Sequence, residues 1–474
     1  MNRKRILFLT MLGSLSVGLG FLLFAGGACQ SPSLSDQRPN ILFISIDSLR
    51  ADHLSSYGYH RPTSPNLDRL AQEGARFTRV LSPSPWRLPS HISMFTGQET
   101  TVHHIMTPSF ALTPAALSIP KLLKQAGYAT VGFGCAPYLK GLFGFNLHFD
   151  SYDDSLAQVS YNKSHGLVTS KKVIDKAIAK LGKLRRQRWF MFIHMWDVHY
   201  DYIPPAPFNA MFAGDYRGQM SMVNWERNRD FRVGMDPADF DYAISQYDGE
   251  IAWVDSQLQR LFERLKKWKL YDQTAIVVVS DHGEEFLDHN QKGHGHSLFD
   301  ELVRVPLIIK APQVPPGATP DCMVSTLDLL PTFAEWAQAK NTGYEGPGQS
   351  LLGLIWNART CDATREFFME TNLSNLDKLN HSKRGTEMAL EIDRKKFIDR
   401  TTEPKRELFF DLTDDPLEQR DLLAADPAAA DQMRELLMRH AEKNQESRRR
   451  LKLSRRVNAD KHTLNQLKDL GYIQ

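Results

Sequence analysis

NILFISIDSLR, residues 40–50, sets five apolar side chains and one serine between Asn40 and Asp47. An apolar run this continuous marks a strand buried on both faces, the kind found inside parallel sheets, and it ends on an acid. Two more stretches repeat the pattern. RWFMFIHMWDVHYDYIPP (188–205) runs into His194, Asp197 and His199, and TAIVVVSDHGEE (274–285) runs into Asp281 and His282. In an open α/β sheet the ligand site lies at the carboxyl ends of the strands, so these three polar ends are expected to converge.

The segments between them supply the helices. SIPKLLKQAGYATVGFG (118–134) reads as a helix with Ser118 as cap, Pro120 in the first turn and Gly127 as terminator, followed by a strand. Ile244, Tyr247, Ile251, Val254, Leu258, Leu261 and Leu265 recur at intervals of three and four, the spacing of a helix laid on a sheet. After about residue 340 the character changes. MALEIDRKKFIDRTTEPKRELFFDL (388–412) alternates short strands with charged turns, an antiparallel meander. The expected fold class is therefore α/β: a large, mixed, mostly parallel sheet flanked by helices, with a smaller C-terminal antiparallel α+β subdomain.

The 474 residues include 58 basic and 55 acidic side chains. A balance of +3 gives no reason to expect a nucleic-acid partner. The opening MNRKRILFLTMLGSLSVGLGFLLFAGGAC (1–29) places basic residues before a long apolar run, the anatomy of an export signal. GGAC reads as a lipoprotein site acylated at Cys29; an uncleaved anchor and a cleaved signal are the alternatives. Each puts the folded part in a bacterial cell envelope, periplasmic or extracellular, with membrane attachment through the N-terminus. Residues 30–38 are a Ser/Pro-rich tether, 39–340 the expected catalytic domain and 341–474 the subdomain. Cys135, Cys322 and Cys361 allow one disulfide whose pairing the sequence does not fix. The six basic residues from Arg448 to Arg456 read as a solvated face, or as a contact for anionic lipid or polysaccharide.

Two acids and an imidazole on strand ends, Asp47, Asp281 and His282, suit a divalent cation. His289, His294 and His296 follow in a glycine-rich loop and read as donors to an oxyanion. At this point the chain resembles the sulfatase family of the alkaline phosphatase superfamily. PNILFISIDSLRADHLSSYGYHRPTSPNLDRLAQEGARFTR, LPSHISMFTG, FIHMWDVHYDYIPP, SDHGEEF, GHGHSLFDELVRVPLII and ELFFDLTDDPLEQRDL are similar, in order, to that family's motifs.

The resemblance implies a sulfuric ester hydrolase with one divalent metal ion, Ca²⁺ in the family pattern, and a formylglycine nucleophile made from Cys or Ser. Carried over, Asp47, Asp281 and His282 hold the metal, and Ser48 stands weakly where many members have a second Asp. His199 and His296 contact the sulfate or the leaving group, and His194 and His294 bind substrate. His91 takes a position where the family often has Arg. The nitrogen ligand of His282 leaves Mn²⁺ or Zn²⁺ open.

Counting back from Thr96 and Gly97, the nucleophile position falls on Arg87. A guanidinium has no free lone pair and cannot become formylglycine, so its catalytic role is doubtful. It also repels a cation. A unit charge about 4 Å from each charge of a metal costs on the order of 4 kcal/mol at an effective dielectric near 20. Arg87 is expected to swing outward, to clamp a bound sulfate, or to leave the metal weakly held. Water attack is the favoured catalytic route, ahead of Ser84 or Ser90 as surrogate nucleophile. The expectation leans toward a metal-dependent hydrolase of sulfate esters or sulfated glycans. Its rival is an impaired pseudo-sulfatase that binds sulfated or phosphorylated glycans. A phosphodiester or phosphonate hydrolase, or an envelope phosphotransferase, ranks lower, the last for want of a Thr at position 87.

Overall fold

The central strand β1 (Asn40–Ile46) is buried along its whole length, as its composition requires. The computed structural model describes residues 38–157, 169–223, 225, 228–340, 342–357, 359–373, 385–401 and 405–457. The export segment and Cys29 lie outside the described residues. From Arg38 onward the chain forms one compact unit.

Around β1 stand β2 (Ala75–Arg76), β3 (Ala129–Phe133), β4 (Ser151–Asp153), β5 (Trp189–Met195), β6 (Thr274–Ser280) and β7 (Leu307–Lys310). Their order is β2-β7-β6-β1-β5-β3-β4. The sheet is parallel from β6 to β4, and β7 and β2 are antiparallel additions at one edge. A mixed, mostly parallel sheet is what the apolar strands predicted.

Helices flank it: α1 (Pro65–Glu73), α2 (Arg87–Thr96), α3 (Ile119–Gln125), α4 (Ser170–Leu184), α5 (Pro237–Lys267) and α6 (Leu329–Trp336). Phe43 of β1 packs against Phe95 of α2 and Phe333 of α6 at centroid distances of 6.2 and 5.3 Å, fixing those helices to one face. The periodic leucines of α5 are buried as expected, and Asp236 caps that helix through Ala238 N. Ser118, expected as a cap, makes no capping bond; its hydroxyl lies 3.0 Å from His148 Nδ1 instead.

The C-terminal strands β8 (Phe367–Asn372), β9 (Thr386–Ile392), β10 (Lys395–Arg400) and β11 (Arg406–Asp411) form the antiparallel meander. One face buries Phe368, Leu390, Phe397 and Phe409 under α7 (Pro427–Leu451). The other packs Phe367, Met369 and Phe410 on Leu298 and Phe299, beside the loop that follows β6. Cys322 and Cys361 form a disulfide, and Cys135 is free and buried. No helix among the described residues is long and apolar enough to cross a membrane.

A candidate metal and oxyanion site at the strand ends

Strand register brings the acids together. β1 and β6 are parallel with Ile46 opposite Ser280, so the next residues, Asp47 and Asp281, leave the sheet side by side. On the other flank Ser45 faces His194, which places that imidazole beside Asp47. His194 Nε2 donates to Asp47 Oδ2 at 3.1 Å. Ser48 takes a left-handed backbone conformation (φ 55°), donating its hydroxyl to Asp47 Oδ1 at 3.0 Å and its N–H to Asp281 Oδ1 at 3.3 Å. It positions both carboxylates.

Asp47, Asp281 and His282 are fully buried, and one ligand atom from each lies within 4.8 Å of the other two. His282 Nδ1 donates to Gly283 O at 2.7 Å, which leaves a lone pair on Nε2. That nitrogen lies 3.6 Å from Asp47 Oδ1 and 3.5 Å from Asp281 Oδ2. Among the described residues, neither Asp281 Oδ2 nor His282 Nε2 has a hydrogen-bond partner. Unsatisfied lone pairs facing one another in a buried site are costly without a cation among them, so these donors fit a divalent ion. The trio of His91, His194 and Asp281 is similarly close but fits less well. There His91 Nδ1 donates to Arg87 O and Nε2 accepts from Ser45, both at 2.9 Å.

Electrostatics separates the two acids. Burial disfavours the charge on Asp47, but Arg87 first, then the His194 hydrogen bond and His199, hold its carboxyl well below the usual range. Asp281 is pushed up, by burial and then by Asp47.

Arg87 does not swing outward. Its side chain is 2% exposed, its Nη2 donates to Asp47 Oδ1 at 3.1 Å, and its Nε donates to Oδ2 in a shorter contact. The guanidinium carbon sits 4.3 Å from the Trp196 ring centroid. The residue at the nucleophile position is thus paired with the first expected metal ligand, which excludes the outward swing among the arrangements expected from sequence. Trp196 and its platform role were not singled out in the sequence, because a tryptophan at a strand end reads as core.

The other histidines divide. His199 joins the site: its ring stacks on Trp196 at 4.4 Å, its Nδ1 donates to Tyr200 O at 2.7 Å, and its buried Nε2 has no hydrogen-bond partner among the described residues. Burial, then Arg87, keeps it neutral. His294 lies 4.3 Å from the His282 ring and 5.1 Å from that of His199, with Nδ1 held 3.2 Å from Glu284. His296 turns instead to Glu285, 2.7 Å away. His289 leaves the oxyanion role entirely: it stacks on Phe299 at 3.6 Å, faces Glu301 at 2.8 Å and reaches Glu418 O. Asp197 also leaves the site, accepting from Thr169 N and Ser170 N at the start of α4. Ser90 and Ser82 donate to Asp281 O at 2.7 and 2.6 Å, a structural use, and the buried Ser84 hydroxyl has no hydrogen-bond partner among the described residues. Glu284, pushed up to about 8 by burial, is the acid the sequence reading passed over in its GEE run.

The sulfatase family profile matches residues 39–339, well over half of the chain. The chain belongs to the sulfatase family. Among curated relatives, the multifunctional alkaline phosphatase superfamily protein PehA of Trinickia caryophylli is 24% identical, over 83% of this chain and 92% of its own. An N-acetylglucosamine-6-O-sulfatase of Bacteroides thetaiotaomicron is 25% identical, over 70% and 73%. Among solved structures, a protein bound to its substrate D-glucosamine-2-N,6-O-disulfate superposes with a TM-score of 0.69 at 20% identity, covering 87% of this chain and 98% of its own. The phosphonate monoester hydrolase of Agrobacterium radiobacter gives 0.67 at 21%, covering 88% and 96%. The scaffold is that of a sulfatase-type hydrolase.

Proposed function

We propose that this protein is an exported, metal-dependent hydrolase of sulfate esters on glycans in which water replaces a nucleophilic side chain at position 87. One observation carries the reading: the partnerless Asp281 Oδ2 and His282 Nε2, 3.5 Å apart and buried next to Asp47. Asp47, Asp281 and His282 would hold the ion. Two carboxylates and an imidazole favour Mn²⁺ or Zn²⁺ over the all-oxygen cage of Ca²⁺. When bound, a divalent ion supplies Lewis acidity and neutralises charge on the oxyanion.

The chain's own groups account for the rest. Arg87 has no lone pair to attack with, so the attacking oxygen comes from water. His199, neutral and with a buried, partnerless Nε2, is the group that accepts its proton. His294, oriented by Glu284, faces the same space and serves the leaving group. The substrate class rests on relatives that are named for sulfated sugars. Export rests on the N-terminal pattern and is supported by the Cys322–Cys361 bond, a linkage typical of oxidising compartments.

A second reading, binding of sulfated glycans without turnover, is favoured by the Arg87–Asp47 pair. Release of sulfate from 4-nitrophenyl sulfate and glucosamine 6-sulfate, after loading with Mn²⁺, Zn²⁺ or Ca²⁺, separates the two; a phosphonate monoester completes the panel. Turnover that falls at least about 100-fold in Asp281→Asn supports the hydrolase. Glycan binding with no turnover under any ion supports the second reading and refutes the first.

A further inference from the structure

We propose that Arg87 is an anion-released latch on the metal site, so that the divalent ion and a monoanionic sulfate ester bind cooperatively and each binds weakly alone. The inference rests on the metal site proposed above and adds its regulation. Three observations lead to it. Arg87 grips both oxygens of Asp47, while Asp281 Oδ2 and His282 Nε2 in the same trio have no hydrogen-bond partner among the described residues. The pair is buried, with the Arg87 side chain 2% exposed and that of Asp47 0%, so neither charge leaves the other without a replacement at hand. Trp196 lies under the guanidinium and stacks with His199, which puts Arg87 beside the imidazole expected to meet the substrate.

Formal charge decides the coupling. Asp47 and Asp281 as carboxylates, one divalent ion and Arg87 sum to +1, an uncompensated charge inside a buried site. A sulfate monoester brings the sum to zero. It offers Arg87 the planar, charge-assisted hydrogen bonds that Asp47 now provides, and frees Asp47 to join Asp281 and His282. By linkage, whatever factor the ester adds to metal affinity, the metal adds to ester affinity.

The test is calorimetric titration of the purified full chain with Mn²⁺, in methyl sulfate or in chloride at equal ionic strength. The methyl ester of methylphosphonic acid, also a monoanion, is a parallel arm, and neutral dimethyl sulfone is the control. Methyl sulfate is expected to tighten Mn²⁺ binding about tenfold or more, within the roughly 5–150-fold range of such couplings, and the sulfone to have no effect. A larger response in the phosphonate arm assigns the latch to phosphonate monoesters in place of sulfate esters and overturns that part of the proposal. In Arg87→Gln the coupling is expected to fall below about threefold, with Mn²⁺ bound in chloride as tightly as the native protein binds it in methyl sulfate. Mn²⁺ affinity that is the same in chloride and methyl sulfate overturns the latch and leaves the metal site standing. Absence of Mn²⁺ binding in every arm, native and variant, overturns both. The native protein alone decides if Arg87→Gln does not fold.

Discussion

Arg87→Met in metal-free buffer isolates the role of the guanidinium in the resting protein. Methionine keeps most of the side-chain length and a favourable sulfur contact with Trp196, so the loss is mainly one of charge. At the 3.1 Å separation of Nη2 and Asp47 Oδ1, and an effective dielectric near 20, the attraction is about 5 kcal/mol. Removing one partner from a buried pair costs about 3–5 kcal/mol, because the other charge stays behind. Asp47 keeps His194 and Ser48 as donors, which sets the expected loss toward the lower end. Adding Asp47→Asn to Arg87→Met removes the stranded charge while leaving an amide oxygen for those donors. The double variant is expected to lose only about 1–2 kcal/mol.

The assay is differential scanning calorimetry in EDTA. For a unit running from Arg38 to Gln474, about 2.1 cal/mol/K per residue gives an unfolding entropy on the order of 0.9 kcal/mol/K. Each kcal/mol then moves Tm by only about 1 °C. The expected shifts are about 3–5 °C down for the single variant and about 1–2 °C for the double. A single variant within about 1 °C of native, or a double variant less stable than the single, would show that the pair does not carry the buried charge of Asp47.

Three other outcomes are expected. His440 bridges Glu99 and Glu366 at 3.0 and 2.6 Å, and these acids, against the effect of burial, raise its pKa to about 9. A raised folded pKa stabilises fully below about 6.5 and is lost as pH rises through about 9, so His440→Gln should cost about 3 kcal/mol at pH 6 and little at pH 10, read from urea midpoints. Gly283→Ala places a Cβ 1.9 Å from Glu301 O; a loss of about 3 kcal/mol in urea unfolding and a roughly tenfold weaker Mn²⁺ site by calorimetry are expected as His282 shifts. Cys322→Ser with Cys361→Ser opens a loop spanning 39 residues and should cost about 4 kcal/mol, measured by urea unfolding against the native protein in oxidising buffer.

What the sequence made legible follows from strand physics. An apolar run with a polar end predicts both a buried strand and the edge at which it delivers its last residue, and parallel register does the rest for Asp47 and Asp281. The sorting of the histidines was not legible. His289, His294 and His296 share one polar loop and each meets a carboxylate, and only the packing around it shows that His294, on Glu284, is the one whose ring also lies against His282 and His199. Gly283, between His282 and Glu284, has no positive φ. What it requires is room, since the short helix Asp300–Val303 passes against it. The partner of Arg87 was hidden for a similar reason: charge repulsion from a metal was foreseeable, but the pairing with Asp47 depends on a buried geometry.

The departures at positions 87 and 91 belong together. They lie four apart on α2, on one face, and His91 Nδ1 bonds the carbonyl of Arg87 itself. Where the family often has a guanidinium at 91, this chain has a neutral imidazole 3.4 Å from Asp281, its pKa held low first by burial and then by His194. The positive charge has been moved one helical turn toward the N-terminus, not added. A guanidinium at both positions would place two cations on one helix face, near that helix's positive end, with Asp47 and Asp281 as their nearest acids. Arg87→Cys alone should therefore remove the guanidinium that the proposed latch turns from Asp47 to the oxyanion, whereas Arg87→Cys with His91→Arg restores one at the position common in the family. Calorimetry with methyl sulfate on Mn²⁺-loaded protein is expected to show binding to the double variant and at least tenfold weaker binding to the single. Equal affinities in the two would mean that the anion is held by the metal and the histidines, and that the exchange between 87 and 91 is electrostatically idle.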